Sequence, residues 1–496
     1  MIDVSIFYNA ELDENQKLAV QKSLSLGNDC EVLVLQGPPG TGKTTTITEI
    51  VTQILKTWPH EKILIASQSN QAVDNVLEKI CEFEDKILRI GNDLTKMSKA
   101  AQNYTPDKVL NKIIKENIQR IDKNPAKFQN PEIQAKMGEL QKDFREKLQH
   151  ITSKMGNDAK STEKNKEADL ATLFTRNIRL IFGTLLGISS WNKFREMTFD
   201  TIIVDEAGRA TLSELLVPCI KAKKLILVGD HKQLAPVIDD DVLEKIDDKN
   251  EAKTSFFQRL FERTKIADRE NLLHTLEYNY RAARSICDLY SNAFYEGKLK
   301  TTDEINSKKQ HSLSFTSNVV WCDTGKLPDK EDKQKGTGKI NPCNARIIER
   351  VLNQLKTEMS FHNKNYDIGI ITPYKAQMEL LRSRLAIKKN FADCKIDIGT
   401  VDSFQGSDRD IIIYDCVRSG KLKQKAKIDF IAEEKRLNVS LSRAKLLLII
   451  VGDREFLYQA QVSDKNNPFK AIIEYIDQNK DKYTVIEEKP NVRKAK

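Results

Sequence analysis

Gly37-Pro38-Pro39-Gly40-Thr41-Gly42-Lys43-Thr44 separates an apolar run, Val32 to Gln36, from an amphipathic one, Thr45 to Leu55. The spacing G-x-x-x-x-G-K-[ST] between a strand and a helix predicts a tight loop whose backbone N–H groups, with the helix N-terminus, face phosphate oxygens. Gly37, Pro38, Pro39, Gly40, Thr41 and Gly42 would form the cradle, and Lys43 would reach the β- and γ-phosphates. Thr44 would offer its hydroxyl to Mg2+, and Thr45 completes the nucleotide-binding set. A chance Gly-rich turn rarely falls between a strand and a helix.

Outward from this loop, short Val-, Ile- and Leu-rich runs alternate with amphipathic stretches, the pattern of buried parallel strands between helices. Strands are predicted at Val32 to Gln36, Ile63 to Ser67, Leu180 to Gly183, Thr201 to Val204 and Leu225 to Val228. A second series runs through Val319 to Cys322, Ile368 to Ile371, Ile396 to Gly399, Ile411 to Cys416 and Leu447 to Gly452. The fold class is α/β, with two parallel-sheet layers of about five strands each. The length of 496 residues exceeds one hydrophobic core and suggests roughly three units.

Residues 92–176 break the rhythm. They carry 17 Lys and Arg against 12 Asp and Glu, few apolar runs, and Leu110, Ile113, Ile114 and Ile118 at helical intervals. A charged helical insertion, such as a projecting hairpin, fits this segment, and it holds +5 of the chain's +9 net charge. Lys108, Lys112, Lys115 and Arg120 fall at helical spacing and could grip nucleic acid; the bland alternative is a solvated hairpin with no partner. The expected domains are 1–91 and 177–270 for the first α/β unit, 92–176 for the insertion, and 271–496 for the second. Asp239 to Lys253, Thr301 to Gln310 and Leu327 to Lys339 read as surface connections, and Glu487 to Lys496 as a frayed tail.

Composition excludes several classes. Charged residues make up 30% and hydrophobic ones 40%, with a mean hydropathy of −0.50, as in a globular protein in water. Leu446 to Val451 and Leu225 to Val228 are strand-length, short of the about 20 residues a spanning helix needs. Asp3, Glu11, Asp13 and Glu14 interrupt any secretory signal, so an intracellular location is expected, cytoplasmic or nuclear. Eight cysteines, with no CxxC and no histidine at metal spacing, read as buried apolar residues in a reducing compartment.

Thr201-Ile202-Ile203-Val204-Asp205-Glu206-Ala207 is a buried strand ending in two carboxylates. After a phosphate loop, Asp205 would hold the Mg2+ shell with Thr44, and Glu206 would polarise the attacking water. Alone, such a pair is as often a plain acidic surface.

At this point the sequence resembles superfamily 1 helicases, in the 5′-to-3′ branch of the nonsense-mediated-decay helicases and their senataxin relatives. The likeness runs from about Leu12 to Asp453. Gly229-Asp230-His231-Lys232-Gln233-Leu234-Ala235-Pro236 is similar to that family's GDxxQLxP segment, which gives Gln233 the role of γ-phosphate sensor. Glu277-Tyr278-Asn279-Tyr280-Arg281 resembles its tyrosine-arginine element, which places Tyr280 on adenine and Arg281 on the phosphates. Leu437 to Lys445 matches the last motif, with Arg443 as a second arginine finger, and Leu12 to Val20 resembles the adenine-reading element, with Gln16. The resemblance implies two RecA-like P-loop NTPase domains, ATP and Mg2+ as cofactors, and single-stranded DNA or RNA as partner.

Apart from the family, Arg281 and Arg443 lie far in sequence from Lys43 and Asp205, so they can meet ATP only if two α/β units close around it. An arginine so supplied can contribute a factor on the order of 10³ to 10⁵. Read alone, each is an ordinary surface salt-bridge residue.

Ser67 to Asp74, Gly183-Thr184, Ile371 to Lys375 and Gly399 to Gly406 each follow a predicted strand, where open α/β sheets bind ligands. In the family these loops track a sugar-phosphate backbone without reading bases. Ser69, Asn70, Thr184, Pro373, Tyr374, Thr400 and Ser403 are the nucleic-acid candidates, against ordinary polar loop chemistry. Asp402, Gln405 and Gly406 resemble the motif that couples ATP to strand movement. Asp408 stands where the family often carries glutamate toward the ribose, which makes that contact shorter in reach. The sequence starts just before the adenine-reading element, so the accessory β-domain of many relatives is expected to be absent.

These readings point to an ATP-dependent 5′-to-3′ translocase, acting as a monomeric motor that unwinds duplexes, with protein partners not legible. The rivals are an ATP-driven clamp that remodels complexes without processive unwinding, and a scaffold with a decayed motor.

Overall fold

The computed structural model describes residues 4, 6–91, 93–123, 131–154, 178–236, 238, 254–386, 395–404, 406–421, 427–463 and 466–490. The chain divides into two compact units. The first comprises Met1–Leu35, Thr44–Gly229 and Val237–His274; the second comprises Gln36–Lys43, Asp230–Pro236 and Thr275–Lys496.

The first sheet contains β1 (Glu31–Gln36), β2 (Ile63–Ser67), β3 (Ile87–Ile90), β4 (Leu180–Thr184), β5 (Phe199–Asp205), β6 (Ala222–Gly229) and β7 (Leu273–Thr275), in the order β3-β4-β2-β5-β6-β1-β7. The pairs β2–β4, β2–β5, β3–β4 and β5–β6 are parallel. Strands such as Ile63–Ser67 are buried along their whole length, because helices cover both faces, and so they read as continuous apolar runs. Val34, Leu64, Ile202, Val204, Leu227 and Phe257 share one core cluster.

The second sheet contains β8 (Val319–Asp323), β11 (Ile368–Thr372), β12 (Ile396–Thr400), β13 (Arg409–Asp415), β14 (Ala444–Gly452) and β15 (Thr484–Glu487), with β9 (Lys333–Lys335) and β10 (Gly338–Ile340) forming a separate antiparallel ribbon. Its order is β12-β11-β13-β14-β8-β15, with every adjacent pair parallel. The architecture is thus α/β, two RecA-like parallel sheets of seven and six strands rather than about five each.

The unforeseen strands have physical reasons. β3 and β15 are sheet edges of four residues, β7 has three, and β9 is fully exposed and Lys-rich, so none carries a long apolar signal. Leu327 to Lys339 is therefore partly a ribbon, and Asp303–Ser307 is a short helix. The expected fraying of the tail is corrected at its start: Glu487 ends β15, and the Glu488 N–H donates to the Asp323 carbonyl at 2.9 Å. Asp239 to Lys253 lies outside the described residues.

The insertion is helical over Pro106–Lys123 and Pro131–Lys154. Its first helix is not wholly solvated, since Val109, Leu110 and Ile114 are buried and Val109 joins the first core. Cys287, Cys322, Cys343 and Cys416 are buried core residues as expected; Cys30 is exposed and Cys81 and Cys219 half-buried, and Cys394 lies outside the described residues. No helix among the described residues is long and apolar enough to cross a membrane.

His274, in the edge strand β7, donates from Nε2 to the Asn15 carbonyl at 2.8 Å, at the start of the helix Glu14–Leu24. Burial pushes its pKa down to about 4. Between the ordinary value of 6.5 and about 4 the unfolded chain therefore binds a proton that the folded chain refuses, and stability falls as pH falls through that window. The expected loss through this group is roughly 3 kcal/mol. Urea denaturation of the native chain and of His274→Gln at both ends of the window checks it: the native chain should lose more stability than the variant, and parallel losses would refute the assignment.

Candidate functional site

In the first unit the sheet register aligns Thr184, Ser67 and Asp205 across the carboxyl ends of β4, β2 and β5. Asp205 is buried, and its Oδ1 accepts from the Glu206 N–H at 2.8 Å. That bond closes a turn in which Glu206 has φ 54°, a left-handed conformation that is costly outside glycine and concentrates at functional sites. The Glu206 carboxylate accepts from Ser69 Oγ at 3.4 Å and lies 3.6 Å from the Arg209 guanidinium.

Ser69 caps the helix Asn70–Ile80 by accepting from the Ala72 N–H. Thr184 likewise accepts from the Gly187 N–H at 3.1 Å. Asn70 accepts from Arg89 at 2.8 Å, and Arg89, fully buried in β3, pairs with Asp74 at 2.7 Å. Asp74 also accepts from the Ser98 N–H. Gln16 forms a capping box with Asp13 and is itself buried. The helix after the phosphate loop, Lys43–Thr57, carries Thr44 and Thr45 in its first turn, and the Thr45 hydroxyl accepts from Lys79 at 3.0 Å.

In the second unit, Lys43 folds over the phosphate loop and donates to the carbonyls of Gly37 at 2.6 Å and Pro38 at 3.3 Å. Thr41 closes the loop through Pro38 at 2.9 Å. Gly40 and Gly42 both have φ +76°. At Gly40 a Cβ would sit 2.4 Å from Asn279 Oδ1 and 2.6 Å from Arg281 Cβ, while its carbonyl accepts from the Tyr280 N–H at 2.8 Å. Only glycine fits this position. Asn279 is fully buried and uses both ends of its amide, donating to Ala282 and Thr301 and accepting from the Arg281 and Ala282 N–H groups.

Gln233 and Arg443 meet here: Arg443 donates to Gln233 Oε1 at 2.9 Å, and Gln233 Nε2 donates to Asp230 at 2.8 Å. Asp230 also accepts from the Tyr295 hydroxyl at 2.6 Å, which in turn accepts from Asn438 at 2.7 Å. Burial, with the adjacent Asp230 charge, pushes the Tyr295 phenol well above its ordinary pKa, so it remains a donor. Arg281 pairs with Asp408 at 3.1 Å and donates to the Ser442 carbonyl at 3.3 Å; Lys445 holds the other Asp408 oxygen at 2.8 Å. Burial pushes the Asp408 carboxyl up, but the charges of Arg281, Lys445 and Arg443 outweigh it and leave the pKa below the usual value.

At the carboxyl ends of the second sheet, Thr372 and Thr400 are register partners. Pro373 is buried, Tyr374 half-buried, and Ser403 Oγ donates to the Thr400 carbonyl at 2.7 Å. Asp402 pairs with Arg436 at 2.8 Å, and Gly406 has φ +78°. Gln405 lies outside the described residues. In the insertion, Lys112 pairs with Asp85 at 3.2 Å and Lys108 reaches Asn103 at 3.5 Å, while Lys115 is exposed. The Arg120 side chain is not among those described.

Sequence reasoning missed Arg89, Asp230, Tyr295 and Asn438. Both Asp230 and Asn438 lie inside the quoted motifs; Asn438, between Leu437 and Val439, was an available signal, whereas Asp230 sits among the polar His231, Lys232 and Gln233. Arg89 and Tyr295 gave none, because their partners are distant in sequence.

The sheets and the order of these elements define a P-loop NTPase of two RecA-like sheets. Two AAA domain families match the chain, one over residues 11–241 and one over residues 252–455. DNA polymerase alpha-associated DNA helicase A of Saccharomyces cerevisiae is 29% identical, over 97% of this chain and 70% of its own length. DNA-binding protein SMUBP-2 of Mesocricetus auratus is 29% identical over 97% of this chain and 46% of its own. ATP-dependent helicase NAM7 of Saccharomyces cerevisiae is 30% identical over 90% and 42%. The chain thus spans from 42% to 70% of the length of these relatives. The two AAA domains and this similarity along 90–97% of the chain bear out the expected resemblance to superfamily 1 helicases.

The Arg89–Asp74 pair is buried on both sides, and Asp74→Ala would strand a guanidinium in the core. The expected cost is about 3–5 kcal/mol. The double variant Asp74→Leu/Arg89→Met should lose clearly less in urea denaturation; equal losses would mean that the pair is not what holds this corner.

Proposed function

We propose that this chain is a motor that moves 5′ to 3′ on single-stranded DNA or RNA, driven by Mg-ATP hydrolysis. The observation that supports it best is the Arg443–Gln233 hydrogen bond at 2.9 Å, on the unit that also carries Lys43 and Arg281. A glutamine linked at once to an arginine and to Asp230 is poised to change partners when a γ-phosphate arrives or leaves.

The residues suit the nucleotide. Lys43 already donates to two loop carbonyls, which phosphate oxygens would replace, and the loop excludes a Cβ at Gly40. Mg2+ would be held by Thr44 and Asp205 together with phosphate oxygens, as this ion prefers one or two protein ligands beside its substrate. Glu206 would orient water, Gln16 and Tyr280 the adenine, and Asp408 the ribose once Arg281 has moved to the phosphates. ATP supplies the free energy; Arg281 and Arg443 would stabilise the charge that develops during transfer. The proposed domains are 1–91 with 177–270, the insertion 92–176, and 271–496; the compact units differ from these bounds in that Gln36–Lys43 and Asp230–Pro236 group with the second. Ser69, Asn70, Thr184, Pro373, Tyr374, Thr400 and Ser403 would line the strand, and Asp402, Gln405 and Gly406 would couple its movement to ATP.

Lys43→Ala and Glu206→Gln should each abolish nucleic-acid-stimulated ATP hydrolysis, and undiminished turnover in either would sink the assignment. Strand displacement on 5′-tailed and 3′-tailed duplexes tests direction: displacement of the 5′-tailed substrate alone is expected, and ATPase without displacement on either marks a clamp. Matched single-stranded DNA and RNA compared as ATPase stimulators identify the strand.

Neutralising Lys108, Lys112, Lys115 and Arg120 tests the insertion. Binding should weaken, and the slope of log affinity against log salt should flatten by about one unit per lost phosphate contact. An unchanged slope returns the segment to a solvated helix.

A further inference from the structure

We propose that Tyr374 and Phe430 form a platform on which one base of the bound strand stacks, with Arg418 and Arg436 locking the two rings. This deepens the nucleic-acid reading above and rests on it. The ring centroids are 5.2 Å apart at 36°, and Phe430 is 45% exposed. Tyr374 follows β11 by two residues and Arg418 follows β13 by three, so both stand where a parallel sheet presents its ligand loops.

Both guanidinium groups are fixed in place. Arg436 lies 5.4 Å from the Phe430 ring centre and is held by Asp402 and Glu433, each at 2.8 Å. Arg418 is held by Asp332 at 2.9 Å and donates to the Lys427 carbonyl at 2.9 Å; burial raises the Tyr374 pKa, and the Arg418 charge opposes this by favouring the ionised phenol. Pinned in this way, they lose little freedom when a base arrives.

The backbone is built for the same placement at a cost. Val417, buried and β-branched, has φ 61°, and the Arg418 N–H donates to the Cys416 carbonyl at 2.6 Å, a tight turn that such a residue adopts only under constraint. The constraint is visible: the Val417 N–H donates to Asp415 at 2.9 Å, and its carbonyl accepts from Asn341 at 2.8 Å. Asp415 is fully buried and further held by Asn344 and Gln377. Strain that the surroundings over-determine marks ligand clamps. This one aims Arg418 at Tyr374.

The chemistry selects the occupant. An exposed aromatic beside guanidinium groups suits the flat π-face that every base has, without reading its edge. Lys421 and Lys427, exposed on the adjoining segment, and Lys333 and Lys335, exposed on the ribbon that begins beside Asp332, suit the phosphates on either side.

The test compares a single-stranded oligothymidylate of about 15 nucleotides with the same backbone bearing abasic sites throughout. The native chain should bind the base-bearing strand more tightly. Phe430→Ala should weaken that binding about tenfold and leave the abasic strand unaffected, while Phe430→Trp should keep the preference. Equal weakening on both strands, no weakening on either, or no preference in the native chain would overturn the platform while leaving strand binding intact. Failure of the native chain to bind either strand would remove the parent reading as well.

Discussion

The carbonyl of Gly40 accepts from the Tyr280 N–H at 2.8 Å, and the space where a side chain would stand is filled by Asn279 and Arg281. This close approach fixes the tip of the phosphate loop against the tyrosine-arginine element. It requires a left-handed glycine on one side and a fully buried, fully bonded asparagine on the other. With Asn279 consumed by the turn, Arg281 leaves it in one direction, toward Asp408 and Ser442. The arginine's position thus follows from the backbone of a loop more than 200 residues away in sequence.

The same unit handles its charges by pairing rather than exposure. Arg443 is almost completely buried, which would be prohibitive without Gln233 and the Val439 carbonyl as acceptors. Arg281 shares Asp408 with Lys445, and although burial pushes that carboxyl up, the charges of these two and of Arg443 hold it below its usual pKa. Every cation that the phosphates are proposed to attract therefore has an intramolecular acceptor to leave. Exchange of one acceptor for another involves less desolvation than extraction of a free charge from water, so such a site can switch on modest differences in binding.

What could be read in the sequence was whatever has a local signature. β2 runs from Ile63 to Ser67 as expected, and the loops after β4, β5, β11 and β12 stand at the carboxyl edges of their sheets. What could not be read depends on partners far along the chain. Arg89 looked like one more charge in a basic protein until Asp74 and Asn70 closed around it. Phe430 carries no periodic pattern, and its meaning comes from Tyr374 and Arg436. The insertion shows both cases: Leu110 and Ile114 stand at the helical spacing read from the sequence, whereas Val109 gave no signal, and the structure buries all three, with Val109 in the first core.

The hydroxyls chosen as strand contacts prove to be committed to the fold first. Thr184 and Ser69 cap helices, and Ser403 bonds the Thr400 carbonyl. A hydroxyl has one hydrogen and two lone pairs, so Ser69 can accept from Ala72 and still donate to Glu206 at 3.4 Å. The bond is long, and the carboxylate it touches sits on a left-handed residue that its neighbours must hold in place. A displacement of the Ser69 cap by a few tenths of an ångström would remove a donor from Glu206 and leave Arg209, at 3.6 Å, as its remaining charged neighbour. The loop proposed to face the strand and the carboxylate proposed to orient water thus share one weak hydrogen bond. A linkage of that strength can be made and broken in each cycle, whereas a buried ion pair like Arg89–Asp74 is built to persist.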